Sequence, residues 1–550
     1  MNGTEIGSNF LYDIIEADLA AGRCDTIRTR FPPEPNGYLH IGSAKAILIN
    51  FSAAKRYGGT FNLRYDDTNP LKEDEEFVES IHRDIVWLTG EEPDNIFYGS
   101  DYFDKCYEFA LGLIKADKAY VCDLSLEELR EYRGDYNRPG KDSPYRNRSV
   151  EENLDLFERM KNGEFPEKSR TLRAKIDMSH PNIYMRDPAI YRIINVPHYR
   201  QGVKWHIYPM YDFAHPIQDA LEGITHSMCS IEFDNQRPLY DWVAENINYH
   251  HIPHQYEFAK MFISYTMMGK RYLIKLVEDR IVDGWDDPRM PTLAAMRRRG
   301  FTPSAIREFV ARSGVARVQN NVDIRLLDFC QRNELNKTAL RRIMVLEPIK
   351  VIITNYTDDK FETFALPNNP EDETAGTRDV TFRRTIYIEK SDFAENPPPK
   401  FHRLTLGGEV RLMGAYIIRC NEVIKDTTGS ITELHCTADL ITRNGTPTDG
   451  RKIKGTVHWL ADGEFESASV NLYENLFTIE NTVEISESDN LIDCINPNSR
   501  RSYVGCMIEK GTHKPGVRYQ FVRHGYFILD NKDTDTYNRI VTLKDGFKVK

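Results

Sequence analysis

Several things are missing from this 550-residue chain. No stretch approaches the roughly 20 consecutive apolar residues that a membrane-spanning helix needs. Its opening residues carry acids early and lack a basic stretch followed by an apolar run, so a secretory signal is not expected. The nine cysteines are scattered, odd in number and without a CxxC pair. That argues against a zinc cluster or a disulfide framework and for free thiols in a reducing cytosol. Positive charge is short as well: 72 Lys and Arg face 83 Asp and Glu, a net charge of −11. Such a balance excludes a chain that coats nucleic acid non-specifically. Internal repeats and long low-complexity segments are also absent.

What is there suffices for several cores, with 40% hydrophobic and 11% aromatic residues. At roughly 150 residues per domain the length suggests three or four domains. One tract breaks the acidic average. Between Ala295 and Val345 eleven Lys/Arg stand against four Asp/Glu. It reads as a solvated helix face or as a confined polyanion site.

The first informative unit opens with Thr26–Phe31, which alternates like a strand and is broken by Pro32-Pro33-Glu34-Pro35-Asn36-Gly37. A helical pattern follows. Ser43 is its expected N-cap, Ile47, Leu48, Phe51 and Ala54 share a face, and Gly58-Gly59 stops it. Thr60–Tyr65 reads as a second strand, completing a βαβ unit and hence a parallel sheet. Tyr102–Ala116 is amphipathic, and Ser125-Leu-Glu-Glu128 is a capping box. This texture looks inserted, with strand-like segments resuming around Tyr208–Asp212 and Gly223–Phe233. From Met261 to Thr338 the chain is mainly helical, with Thr302-Pro303 starting a helix that Gly314 closes. Beyond Ala339, short β-rich runs such as Ile386–Ile388, Glu409–Cys420, Ile431–His435 and Tyr519–Leu529 alternate with Gly-containing turns, as in antiparallel barrels. Pro397-Pro398-Pro399 is expected to be a stiff connector.

Two loops carry chemistry. Phe31–Ser43, with His40 and Gly42, leaves a strand and enters a helix, so backbone N–H groups and the positive helix end face an anion. Met267-Met268-Gly269-Lys270-Arg271 places two cations on a glycine loop suited to a polyphosphate. Around them stand Leu63–Pro70, Tyr208–Phe213, Leu221–His226, Gln255–Phe258 and Gly284–Thr292. With these motifs the chain resembles the class I aminoacyl-tRNA synthetases, and among them the glutaminyl-tRNA synthetases. The two loops resemble the HIGH and KMSKS signatures.

The resemblance implies an α/β fold. A Rossmann-like parallel-sheet catalytic domain would occupy 26–100 and 211–260, with an acceptor-stem-binding domain inserted at 101–210. A helical subdomain would follow at 261–338, then anticodon-binding β-barrels at 339–550. It implies that glutamine and ATP give glutaminyl-adenylate, and that tRNA(Gln) takes the glutaminyl group. ATP with Mg²⁺ is expected as substrate, with no structural metal. The expected setting is a cytoplasmic monomer. His40, Ser43 and Lys270 match catalytic positions. Glu34, Pro35, Asn36, His40 to Ala46 (Ile41, Gly42, Ser43, Ala44 and Lys45 between them), Ser230, Lys260, Met261, Met268, Gly269 and Lys270 match ATP-contacting positions. Arg30, Asp66, Tyr211, Cys229 and Gln255 match the glutamine site, with Asp66 on the substrate ammonium. Glutamyl relatives usually carry arginine where Cys229 stands, so a neutral thiol favours glutamine.

For tRNA, Tyr136 matches a wedge at the terminal pair and Asn235 an acceptor-stem position. Ala316, Arg317, Gln319, Asn320 and Asp323 match a helical contact segment. Arg341, Arg403, Arg411, Gln520 and Arg523 match anticodon contacts. Three residues depart from the pattern. Ser43 replaces a histidine, Gly269 a serine and Asn235 an aspartate. A glutamyl-tRNA synthetase, a catalytically impaired tRNA-binding paralogue and a small-molecule nucleotidyltransferase are the alternatives at this point.

Overall fold

The computed structural model describes residues 6–71, 75–447, 449–482, 485 and 491–544. The expected 339–550 region thus includes some residues outside the description. The chain forms two compact units.

The first unit opens with helix α1 (Phe10–Ala20), whose N-cap Asn9 accepts from the N–H groups of Leu11 and Tyr12. Strand β1 (Arg28–Phe31), helix α2 (Ile41–Arg56) and strand β2 (Thr60–Tyr65) are the βαβ unit that the alternation predicts. Helix α3 (Glu75–Thr89) leads to β3 (Asn95–Tyr98), and β1, β2 and β3 pair in parallel in that order. Helix α4 (Phe103–Lys115) starts the insertion. Strands β4 (Ala119–Cys122), β5 (Thr171–Ala174), β6 (Ala189–Ile193) and β7 (Ile207–Pro209) make an antiparallel sheet in sequence order. Helices α5 (Leu126–Arg133) and α6 (Val150–Lys161) lie between β4 and β5. Phe103, Phe157, Tyr191, Trp205 and Tyr208 fill the core beneath. Tyr208–Asp212 therefore does not resume the parallel sheet. It ends the antiparallel one and enters helix α7 (Tyr211–Leu221), because so short an apolar run does not reveal its pairing partner.

The parallel sheet resumes with β8 (His226–Ser230), helix α8 (Arg237–Asn246) and β9 (His254–Phe258). Thr225 N–H donates to Arg28 O at 3.1 Å, and Arg30 Nη1 donates to Met228 O at 3.1 Å, so β8 flanks β1 in the same direction. The chain leaves β1 on one side for β2 and returns on the other for β8. Their carboxyl ends therefore form a topological switch point, where open α/β sheets bind ligands.

The stretch from 261 to 338 carries helices α9 (Lys270–Glu278), α10 (Leu293–Arg299), α11 (Pro303–Ser313) and α12 (Ile324–Thr338). Thr302 Oγ1 accepts from Ala305 N–H, and Gly314 ends α11 at φ +73°. The rest of the second unit is built mainly on two seven-stranded sheets, with Glu362–Pro367 and Thr377–Phe382 pairing as a separate antiparallel hairpin. One runs in the order 456–457, 409–412, 417–425, 431–439, 348–353, 385–389, 460–461. Its two edges are separated along the chain only by His458 and Trp459, so the sheet curls back on itself. The other runs 340–342, 518–521, 525–529, 536–541, 465–473, 500–509, 344–345, with Ile343 alone between its edges. Both differ from the purely antiparallel expectation. Strand 348–353 pairs in parallel with 431–439, and 340–342 with 518–521, because the chain enters the first from the other barrel and the second from helix α12, not through hairpins. Pro397–Pro399 lies between two strands of the first barrel and joins no domains, with Phe401 N–H turning back to Pro398 O.

Candidate active site

The phosphate-type cradle is the β1–α2 turn. His40, not Ser43, is the N-cap: its backbone is extended at φ −121°, ψ 172°. His40 Nδ1 accepts from Gly42 N–H at 3.1 Å and Ser43 N–H at 3.3 Å. Ser43, three residues on, closes the capping box by accepting from His40 N–H at 3.4 Å. Because Nδ1 accepts, the neutral ring carries its proton on Nε2, where it can be donated to an anion. No acid enters the first turn to offset the positive helix end. Leu293 N–H donates to Leu39 O at 2.8 Å and holds the turn from outside.

The other expected ATP residues divide by type. Ile41, Ala44, Pro35 and Met261 are buried packing groups, and Ala46 accepts from Asn50 through its carbonyl. Lys45 is buried with Nζ on Ala259 O at 3.0 Å, and burial lowers its pKa. Lys260 pairs with Glu232, and Asn36 with Glu34. Among the described residues, Ser230 Oγ is buried and finds no hydrogen-bond partner. Met268, Gly269 and Lys270 belong to the second unit, where Gly269 caps α9 without a side-chain hydrogen bond. A Cβ at Gly269 would stand 3.0 Å from the Tyr272 ring, which accounts locally for the missing serine.

Beside the cradle lies a cavity of about 130 Å³ lined by Glu34, Asp66, Thr68, Asn69, Arg192 and Tyr211, among others. Asp66 leaves the end of β2, donates its N–H to Pro33 O at 2.9 Å and accepts from Thr68 Oγ1 at 3.0 Å. Burial, and then the Glu34 carboxylate, push its pKa up to about 6. A bound ammonium would reverse that. Tyr211 also lines a smaller cavity with His215, Phe233 and Gln255. Burial raises its phenol well above the usual range and pushes the Cys229 thiol up to about 12, so both are neutral. Gln255 Nε2 donates to Glu257 at 3.1 Å.

Arg30 lines neither cavity. It is fully buried, with its fork on Asp219 (3.0 and 3.2 Å), Met228 O and Ser227 Oγ. Arg64 and Tyr240 hold the same Asp219, each at 2.8 Å. His215 was not anticipated. It lies one turn after Tyr211, burial drops its pKa to about 4, its Nε2 lies against Arg30 and Asp219, and among the described residues its Nδ1 has no hydrogen-bond partner. The i, i+4 spacing from Tyr211 was the available signal. Arg192, from the inserted sheet, was missed because only folding brings it here.

The expected tRNA residues scatter. Tyr136 is 79% exposed at the tip of a turn, and Asn235 is exposed. Ala316–Asp323 is not helical as expected, since Gly314 ends α11 and Asn320–Val322 is a strand. Asp323 caps α12 and pairs with Arg325. Arg317, Gln319 and Asn320 are exposed, as is Ala316, whose carbonyl accepts from Ala259 N–H. Several arginines of the basic tract have partners within the protein. Arg298 pairs with Asp530, Arg299 and Arg332 donate to backbone carbonyls, and Arg312 pairs with Glu308.

In the barrels, Arg341 and Gln520 are partners in register on adjacent strands. Arg403 and Arg523 share the buried carboxylate of Asp392, at 3.0 and 2.7 Å. Arg411 donates to Gly445 O. Beside them Glu389, His458 and His524 place three potential metal-ligand atoms within 4.8 Å of one another. Arg523 Nη1, always a donor, lies 3.4 Å from His458 Nδ1, so the His458 proton sits on Nε2, facing Glu389 at 3.5 Å. Glu389 also accepts from Leu346 N–H at 2.7 Å and His524 Nε2 at 2.8 Å. The cluster reads as a hydrogen-bonded clasp between the barrels.

Residues 26–337 match the family described as tRNA synthetases class I (E and Q), catalytic domain. Residues 339–439 and 456–530 match the anti-codon binding domain descriptions of the same group. A glutamine–tRNA ligase from Clostridium perfringens is 53% identical, covering all of both chains. One from Rhodopirellula baltica is 51% identical over 98% of this chain and 90% of its own. A solved glutamate tRNA ligase from Elizabethkingia meningosepticum aligns at a TM-score of 0.43 and 18% identity, over 57% of this chain and 70% of its own. With a strand-loop-helix cradle at the sheet's switch point and these matches along its length, the chain belongs to the class I tRNA synthetases of the E and Q type.

Proposed function

We propose that the protein is a glutamine–tRNA ligase. The observation that carries this reading is the cavity beside the α2 cradle, where the Asp66 carboxylate, with Glu34 nearby, meets the neutral Tyr211 and, close behind it, the neutral Cys229. Asp66 holds the substrate ammonium, and Tyr211, with His215 and Gln255 behind it, faces the side-chain amide. A carboxylate side chain would meet no cation at Cys229, while an amide finds hydrogen-bonding groups that reject analogues lacking it.

Glutamine's carboxylate oxygen attacks the α-phosphorus of ATP, taken as its magnesium complex, and pyrophosphate leaves. The positive end of α2 and the His40 ring hold the phosphates, and Lys270 adds charge as it builds on the leaving group. A ribose hydroxyl of the tRNA end then attacks the adenylate carbonyl, and AMP leaves. The inserted sheet takes the acceptor end, and Arg341, Arg403, Arg411, Gln520 and Arg523 take the anticodon. The working form is a cytoplasmic monomer.

The test is tRNA-dependent aminoacylation by the purified protein, with labelled glutamine and glutamate offered in parallel. Charging with glutamine alone is expected. Charging mainly with glutamate would move the protein to the sister activity, and tRNA binding without charging would make Ser43 and Gly269 marks of lost catalysis.

A further inference from the structure

The turn that presents Tyr136 is held from below by one buried guanidinium. Arg186 is 3% exposed, and its Nη1 donates to the carbonyls of Arg133 (3.0 Å), Asp135 (2.9 Å) and Arg138 (3.0 Å). Its Nε donates to His180 O at 2.6 Å, so all four of these hydrogen bonds end on backbone carbonyls. A buried charge without a carboxylate is costly unless its donors are well satisfied. Here they are satisfied by aiming the carbonyls of one turn at it. The turn itself is tight: Asp135 and Arg138 exchange backbone hydrogen bonds, and a Cβ on Gly134, at φ +71°, would stand 2.4 Å from Arg138 O. The outcome is an exposed aromatic on a rigid tip, which is a stacking surface for an unpaired base.

The segment carrying Arg186 reaches the other way as well. Asn182 Nδ2 donates to Asn235 O at 2.7 Å. Its own base is fixed by Arg173, which donates to Asp187 O, and by the buried Asp187 carboxylate, which accepts from Ile176 N–H and Arg146. We infer that residues 180–186 form a strap setting the spacing between the Tyr136 tip and the Asn235 loop, with Arg186 and Asn182 as positioning residues for the acceptor end of a tRNA. This rests on the tRNA-charging function proposed above.

The test measures kcat and KM for two tRNA substrates, one with its terminal base pair intact and one with that pair mismatched. Arg186→Lys keeps the charge but loses the fork. It should lower kcat/KM on the paired tRNA about ten-fold, mainly through KM, and less than about two-fold on the mismatched one. Combined with Tyr136→Ala it should cost nothing further. Asn182→Ala, at a half-buried position, should show the same pattern with about a three-fold loss, and serves if the arginine variant does not fold. Equal losses on the two tRNAs, or full additivity with Tyr136→Ala, would overturn the strap. Failure of the unmodified protein to charge tRNA with glutamine would instead overturn the function on which it rests.

Discussion

Asp66 is where function and stability pull apart most clearly. Its carboxyl is harder to ionise in the folded protein than in the unfolded chain, because burial and Glu34 oppose the charge. Its ionisation therefore costs stability as pH rises from about 4 through about 6, on the order of 2–3 kcal/mol in all. Asp66→Asn should raise Tm at pH 7 by several degrees while lowering kcat/KM for glutamine by two to three orders of magnitude, read by melting and charging assays on one preparation. In the unmodified protein kcat/KM for glutamine should fall as pH drops below about 6, and a flat profile there would remove Asp66 from the ammonium site. Asp66 was legible through the family motif it matches, at the end of a strand in a polar run. His215 and Arg30 divided differently. One earns its place by being neutral, with its Nε2 against Arg30 and Asp219, the other by supporting Asp219, and neither state can be read from residue type.

At the element scale, α2 is the clearest case. Its span, buried face and glycine stop followed from periodicity, but its cap did not. Serine is the commoner cap, yet a histidine accepting through Nδ1 serves equally, and its ring proton then lies on Nε2. Capping and phosphate binding can thus be separated. His40→Asn should keep the cap, with stability within about 0.5 kcal/mol of the parent, and still lose about 10²–10³ in kcat/KM for ATP. His40→Ala should lose about 1 kcal/mol as well. Equal stability loss in both, measured by thermal melting, would deny the cap. The 316–323 segment was misread as helical because its match to a family motif carries no periodicity, whereas Gly314 and the Asp323 cap mark its true boundaries.

At the scale of the molecule, the parallel core, the insertion and the β-rich end were legible from changes in texture. Barrel closure was not, because it depends on edge strands separated by one or two residues that look like ordinary loop. In the arginine tract, the partners of Arg298 and Arg332 were likewise not legible, since they lie far along the chain. The same long-range pairing joins the barrels, where Asp392, fully buried, holds Arg403 from one and Arg523 from the other. Asp392→Asn should destabilise the protein by about 2 kcal/mol, below the value for a fully buried pair because both guanidinium groups are about a third exposed. It should also raise KM for tRNA several-fold at unchanged kcat. A melting change without a KM change would leave Asp392 a structural clasp only.

Selection of the amide rests on the neutral Tyr211 and Cys229 beside the cavity. The most direct measurement is therefore the ratio of glutamate to glutamine charging in Cys229→Arg against the parent. A guanidinium there would pair with a side-chain carboxylate, so the ratio should rise by about two orders of magnitude. An unchanged ratio in a variant that still charges tRNA would contradict the reading of the pocket.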